Sequence, residues 1–186
     1  LDVLAHAQGG FGDLRLVSDG KQLPYILAPT SISRSLTPSV TASSDKKDPQ
    51  LSRWEIKLPR EGLPIGRLTC ATRTGLFQRD VTLYEELRDD RGDKYRRTLG
   101  GAAWVQTPER KSKEFGLAVA SPPQSDTLVL ETHNGDNPAI ELEKFQAFYP
   151  ATRVLLKTQA GDQLLLYYGN PQVGAPRYDL GLVAGQ

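Results

Sequence analysis

Along most of this chain apolar and polar side chains alternate, the period-two signature of strands with one wet face. Leu51–Leu58 shows it most cleanly: Trp54, Ile56 and Leu58 point one way, and Arg53, Glu55 and Lys57 the other. Ile65–Arg73 repeats the pattern. Leu76–Leu87 extends it, with Phe77, Val81 and Leu83 opposed to Gln78, Asp80, Thr82 and Tyr84. Arg79 falls on the apolar side of that run, a place that calls for a strand end or an inward carboxylate partner.

Turn residues divide the remainder into similar pieces. Asp13–Val17 and Pro24–Ala28 flank Asp19-Gly20 and read as a β-hairpin. Ser31–Thr41, sparse in apolar residues and holding Pro38, reads as an edge strand, and Ser43–Gln50 as a loop. Glu85–Arg97 lacks an apolar stripe at helical spacing. Its Arg91-Gly92-Asp93 reads as a hairpin tip, with Tyr95 on the return strand. Gly100-Gly101 precedes a strand at Ala102–Gln106, and Glu114–Ala120, Thr127–Thr132, Ala139–Leu142 and Phe145–Tyr149 add more. Thr152–Thr158 and Gln163–Tyr168 read as a closing hairpin, the apolar run Leu164–Leu166 suiting a central strand covered on both faces. Short strands with Gly/Pro turns predict an all-β antiparallel β-sandwich. Residues 1–45 are expected to form an N-terminal hairpin and linker packed on a main sandwich of residues 46–186.

Composition narrows the partners. The 186 residues carry 23 Lys+Arg against 22 Asp+Glu, a net charge of +1, so the strongly basic surface of a nucleic-acid binder is missing. The basic stretches Arg91–Arg97 and Arg110–Lys113 are interleaved with acids and read as solvated hairpin ends. No run reaches the roughly 20 apolar residues of a membrane span. An opening at Leu1 reads as a trimmed chain whose signal or anchor lies elsewhere. Cys70, the single cysteine, shares a strand face with Leu68 and reads as a buried, inert thiol.

Catalytic constellations are thin. The two histidines, His6 and His133, are far apart in sequence, and no Gly-x-Ser-x-Gly elbow presents a nucleophile. Carboxylate pairs for glycoside hydrolysis exist at Glu85-Glu86, Asp89-Asp90 and Glu141/Glu143. Glu141 and Glu143 share one strand face and read as a solvent stripe. A non-enzyme is expected, with a glycoside hydrolase as third choice.

The richest loop is His133–Pro138, where His133, Asn134, Asp136 and Asn137 crowd together. No cofactor is expected, though Asn134, Asp136 and Asn137 could give oxygen ligands to a hard cation such as calcium, or hydrogen-bond sugar hydroxyls. The plainer reading is turn chemistry, with Gly135 supplying positive φ. Trp54 reads as core. Tyr95 and Trp104, flanked by polar loops, are the candidate rings for stacking on a sugar.

FQRDVTLYEE (Phe77–Glu86), a following hairpin, and LVLETHNGDNPAIELEKFQAFYP resemble galactose-binding-like jelly rolls of the discoidin type. With DLRLVSDGKQLPYIL and YYGNPQVGAPRYDL, the set also resembles an uncharacterised family of bacterial cell-envelope proteins. The resemblance implies a jelly-roll sandwich binding glycans, lipids or proteins through loops at one end, in many cases with a structural calcium. It further implies export to the periplasm or cell envelope, with a membrane tether outside this chain. The function expected is non-catalytic binding or scaffolding, the partner being a glycan or another envelope protein.

Overall fold

In a computed structural model, residues 2–45, 48–109, 112 and 114–179 are described. Beyond a five-residue helix at Asp2–His6 and a 3₁₀ turn at Gly9–Phe11, the regular structure among the described residues is twelve β-strands. They are β1 (Arg15–Ser18), β2 (Lys21–Leu23), β3 (Tyr25–Leu36), β4 (Ser39–Asp45), β5 (Asp48–Lys57) and β6 (Arg67–Thr72). β7 (Phe77–Arg88), β8 (Lys94–Gln106), β9 (Phe115–Ala118), β10 (Thr127–His133), β11 (Leu142–Leu156) and β12 (Leu165–Tyr167) complete them. The expected all-β antiparallel architecture is the observed one. Spatial contacts group Leu1–Ile32 with Ala151–Gln186 in one unit and Ser33–Pro150 in another.

The larger unit is the sandwich. One sheet runs β4-β5-β10-β7-β8; the other sheet, β3-β11-β6-β9, completes it. β10 lies between β5 and β7, and its Leu128, Leu130 and Thr132 are almost wholly buried with Ile56, Val81 and Leu83. Leu68, Cys70, Phe145 and Ala147 supply the opposite wall. Phe115 of β9 meets Phe77 and Trp104, with ring centroids 5.3 and 5.5 Å apart. Removing this much apolar surface from water, at roughly 25 cal/mol per Å2, is what favours the two layers.

A β-bulge alters the longest hairpin. The β7–β8 register slips between Leu83↔Gly100 and Tyr84↔Thr98, so Leu83, Tyr84 and Glu85 are buried in succession and strict alternation ends there. Gly100-Gly101 therefore sits inside β8 and not before it. A Cβ at Gly100 would stand 2.3 Å from the Ala118 carbonyl oxygen, so only glycine lets β9 approach this closely. Asp89 accepts from the backbone N–H groups of Arg91 and Asp93, fixing the expected Arg91–Asp93 tip.

The smaller unit holds a sheet in the order β12-β1-β2 and a cluster of Leu14, Leu16 and Tyr25. Asp13, 2% exposed, accepts from the backbone N–H groups of Gln8, Gly169 and Asn170, joining the segment before β1 to the one after β12. β1 turns through Asp19-Gly20 into Lys21–Leu23, so its hairpin partner is not Pro24–Ala28, whose Tyr25 opens the longer β3. Gln163–Tyr168 does not close a hairpin with Thr152–Thr158: β12 bonds β1. Leu164, Leu165 and Leu166 are 41–55% exposed at a sheet edge, not covered on both faces. An apolar run looks the same in sequence whether it lies at an edge or between sheets.

Two further readings change. Much of Ser43–Gln50 is strand, since β4 and β5 pair as far as Asp45↔Asp48. Residues 139–141 are irregular, and β11 starts at Leu142. Most of the basic stretch Arg110–Lys113 lies outside the described residues.

Candidate functional site

The sequence-predicted site residues do not gather in one place. His133 ends β10 opposite Leu51 with its side chain exposed, whereas Asn134, the next residue, is 4% exposed and turned inward. Asn134 donates through Nδ2 to Ser52 Oγ at 2.8 Å, and its Oδ1 accepts from the Thr132 hydroxyl at 3.4 Å. Its backbone N–H bonds Gln50 O, and its carbonyl accepts from the backbone and amide nitrogens of Asn137. Asn134 is thus an anchor that locks the turn from inside, with Gly135 at φ +58 completing it. The turn reading of this loop describes the observed bonds. Asp136 and Asn137 stay at the surface, while the side-chain oxygen of Asn134 is turned inward to Thr132.

The two candidate rings separate as well. Trp104 is buried, donates through Nε1 to Gly116 O at 3.1 Å and packs on Phe115, so it offers no face for a sugar. Tyr95, 46% exposed, lies near the start of the strand that Gln106 ends, roughly 35 Å away at about 3.3 Å per residue.

Of the predicted residues, Asn137 lines a pocket. With Pro138 and Ala139 it closes one side of a cavity of about 480 Å3, whose other walls are Thr74–Arg79 (Gly75 excepted) and Val105–Thr107. β7 and β8 bring these walls together: Phe77 faces Gln106 and Arg79 faces Trp104 across the ladder. Because these four side chains point inward, Arg79 and Gln106 extend the apolar face of the sheet into its mouth. Leu76, 70% exposed, and Val105, 48% exposed, give the rim apolar surface.

The polar groups of the pocket are only partly satisfied. Arg79, 8% exposed, donates through Nη1 to Gln78 O at 2.8 Å and through Nη2 to Pro138 O at 3.1 Å. Its Nε–H is buried without an acceptor. Gln106 donates through Nε2 to Thr74 O at 2.7 Å, leaving its buried Oε1 without a donor. The inward position of Arg79 matches the alternation, and it lies two residues from the start of β7, the strand-end alternative; no carboxylate pairs with it among the described residues. The sequence signal was there: a guanidinium on the apolar side of β7, and a glutamine two residues past Trp104 on the same side of β8.

No protein-family model and no curated protein matches the sequence. Two solved structures of CpGH89CBM32-4 from Clostridium perfringens are similar to it. One, in complex with glcNAc-alpha-1,4-galactose, is 13% identical with a TM-score of 0.33, covering 60% of this chain and 90% of that one. The other, labelled with seleno-methionine, gives the same identity and TM-score over 59% and 93%. At this level the likeness adds nothing about ligands to what the side chains themselves show.

Those side chains hold hydrogen-bonding groups against an apolar rim, and among the described residues the pocket lining includes no carboxylate, imidazole or thiol. Outside the pocket, Glu143 pairs with Arg73 at 2.8 Å, and Glu85 is fully buried in a pair with Arg97. Burial pushes the Cys70 thiol up to about 12, with the nearby Glu114 carboxylate adding to it, so the thiolate nucleophile is not populated at neutral pH.

Proposed function

We propose that this chain is a non-catalytic binding domain taking a saccharide in the pocket between the β7–β8 walls and the Asn137–Ala139 loop. The observation that carries this reading is the lining: donors and acceptors on Arg79, Gln106 and Asn137 beside the apolar Leu76 and Val105. Sugars present hydroxyls at their edges and C–H groups on their faces, which is the complement of such a wall. Its volume falls within the roughly 300–1,000 Å3 usual for small-ligand pockets. Placement in the bacterial envelope comes into this reading from the sequence resemblance alone.

The test is a broad glycan array followed by titration calorimetry on the hits. Binding that weakens with the rim variants Leu76→Ala and Asn137→Ala, without loss of unfolding temperature, supports the reading. Silence across neutral and acidic glycans removes it.

A second reading, docking onto another envelope protein, is favoured by the exposed Leu164, Leu165, Leu166 and Tyr167 of the smaller unit. A partner that co-purifies from envelope extracts and is lost on Leu165→Lys would favour it.

A further inference from the structure

We propose that the saccharide enters this pocket by a carboxylate, received by the guanidinium of Arg79. The inference rests on the saccharide reading above and sharpens it to acidic sugars.

Arg79 differs from the other arginines of this unit in its burial among the described residues, and it donates to the neutral carbonyls of Gln78 and Pro138. Arg53 pairs with Glu131, Arg67 with Glu114, Arg73 with Glu143, Arg96 with Glu86 and Arg97 with Glu85. The most deeply buried of these guanidinium groups therefore has no carboxylate in an ion pair among the described residues. Burying a cation in that condition is unfavourable, and a hydrophobic side chain would fill the same place on the apolar face of β7 at lower cost. The orphaned Nε–H adds the cost of an unmade hydrogen bond.

The guanidinium fork matches the two oxygens of a carboxylate. Gln106 stands diagonally across the ladder, on the same face and roughly 7–8 Å away. Its Oε1 lacks a donor, which a sugar hydroxyl would provide. A carboxylate beside hydroxyl donors is the chemistry of a hexuronic acid. The exposed Leu76 and Val105 leave the rim apolar, suited to the C–H face of the ring.

Calorimetry with the whole chain against three matched probes decides the point: a hexuronic acid oligosaccharide, its methyl ester, and the neutral hexose oligosaccharide. The ester removes only the charge and leaves the protein untouched. The acid is expected to bind roughly ten-fold or more tightly than either neutral probe. Arg79→Met should keep the fold and the unfolding temperature and abolish that preference. If acid, ester and hexose bind alike, the carboxylate inference fails while the saccharide reading stands. If none binds, both fail. Should Arg79→Met not fold, the acid-to-ester ratio of the unaltered protein still decides.

Discussion

Glu85→Gln isolates the most demanding polar contact in the sandwich. Glu85 is fully buried, and both carboxylate oxygens are occupied by donors. Oε1 receives Arg97 Nε at 2.6 Å and a second contact from Nη2; Oε2 receives the backbone N–H groups of Gln124 and Ser125 at 2.9 and 2.7 Å. Arg97 in turn donates to Ser121 Oγ and Pro122 O, so this pair ties β7 and β8 to the segment before β10. A glutamine of the same shape has one acceptor oxygen and one NH2 group. Whichever way the amide turns, its donors face either the guanidinium or the two backbone N–H groups. Breaking one side of a buried pair costs about 3–5 kcal/mol, a large share of the roughly 5–15 kcal/mol that holds a domain folded.

Urea denaturation followed by tryptophan fluorescence reads this directly, because Trp54 and Trp104 are both buried in this unit. The midpoint should fall with the slope unchanged. Glu86→Gln is the internal control: Glu86 is exposed, its contact to Arg96 is 3.6 Å long, and about 0–1 kcal/mol is expected. Replacing Glu85 and Arg97 together by Leu and Met should recover only part of the loss, since the N–H groups of Gln124 and Ser125 remain unpaired. Equal, small losses for Glu85→Gln and Glu86→Gln would refute the reasoning.

Four other outcomes follow from the same geometry. Gly100→Ala should cost about 1–3 kcal/mol by forcing β9 away, while Gly101→Ala, whose nearest neighbour is Val81 O at 3.3 Å, should cost less; similar midpoints would contradict the close approach. Burial by itself would push the Asp13 carboxyl up, but the N–H groups of Gln8, Gly169 and Asn170 outweigh it and hold it below 3.8. The unfolded carboxyl takes its proton first as pH falls. The stabilisation is therefore full above about pH 4 and drains away as pH drops through the folded value, and Asp13→Asn should flatten that slope in acid titrations of stability. Cys70 should react with a thiol reagent only after denaturant is added; rapid labelling of the folded chain would contradict its burial. Calcium against a chelator should leave the unfolding temperature unchanged, because Asn134 is committed to Ser52 and Thr132 and a calcium shell needs about 6–8 oxygens; a clear rise would restore the ion to this loop.

How far the chain could be read from its residues depends on the range of the force involved. Strand faces are local: alternation alone assigns Trp54 and Ile56, or Phe77, Val81 and Leu83, to the inside, and all five are buried. Pairing is not local. Leu165–Tyr167 chose β1 over its sequence neighbour, and where the β7–β8 register slips Tyr84 is buried although a strict period of two points it out. The candidate site divides along the same line. Polar density marked the loop at His133–Pro138, yet small polar residues in a turn answer the backbone first, and Asn134 bonds Ser52 and its own turn. Arg79 and Gln106 broke the apolar pattern, and the carbonyls of Gln78, Pro138 and Thr74 satisfy only part of their polar groups. In a sandwich, then, an inward polar side chain is the sharper sign of a ligand, because its bonds must come from the facing layer or from something that enters.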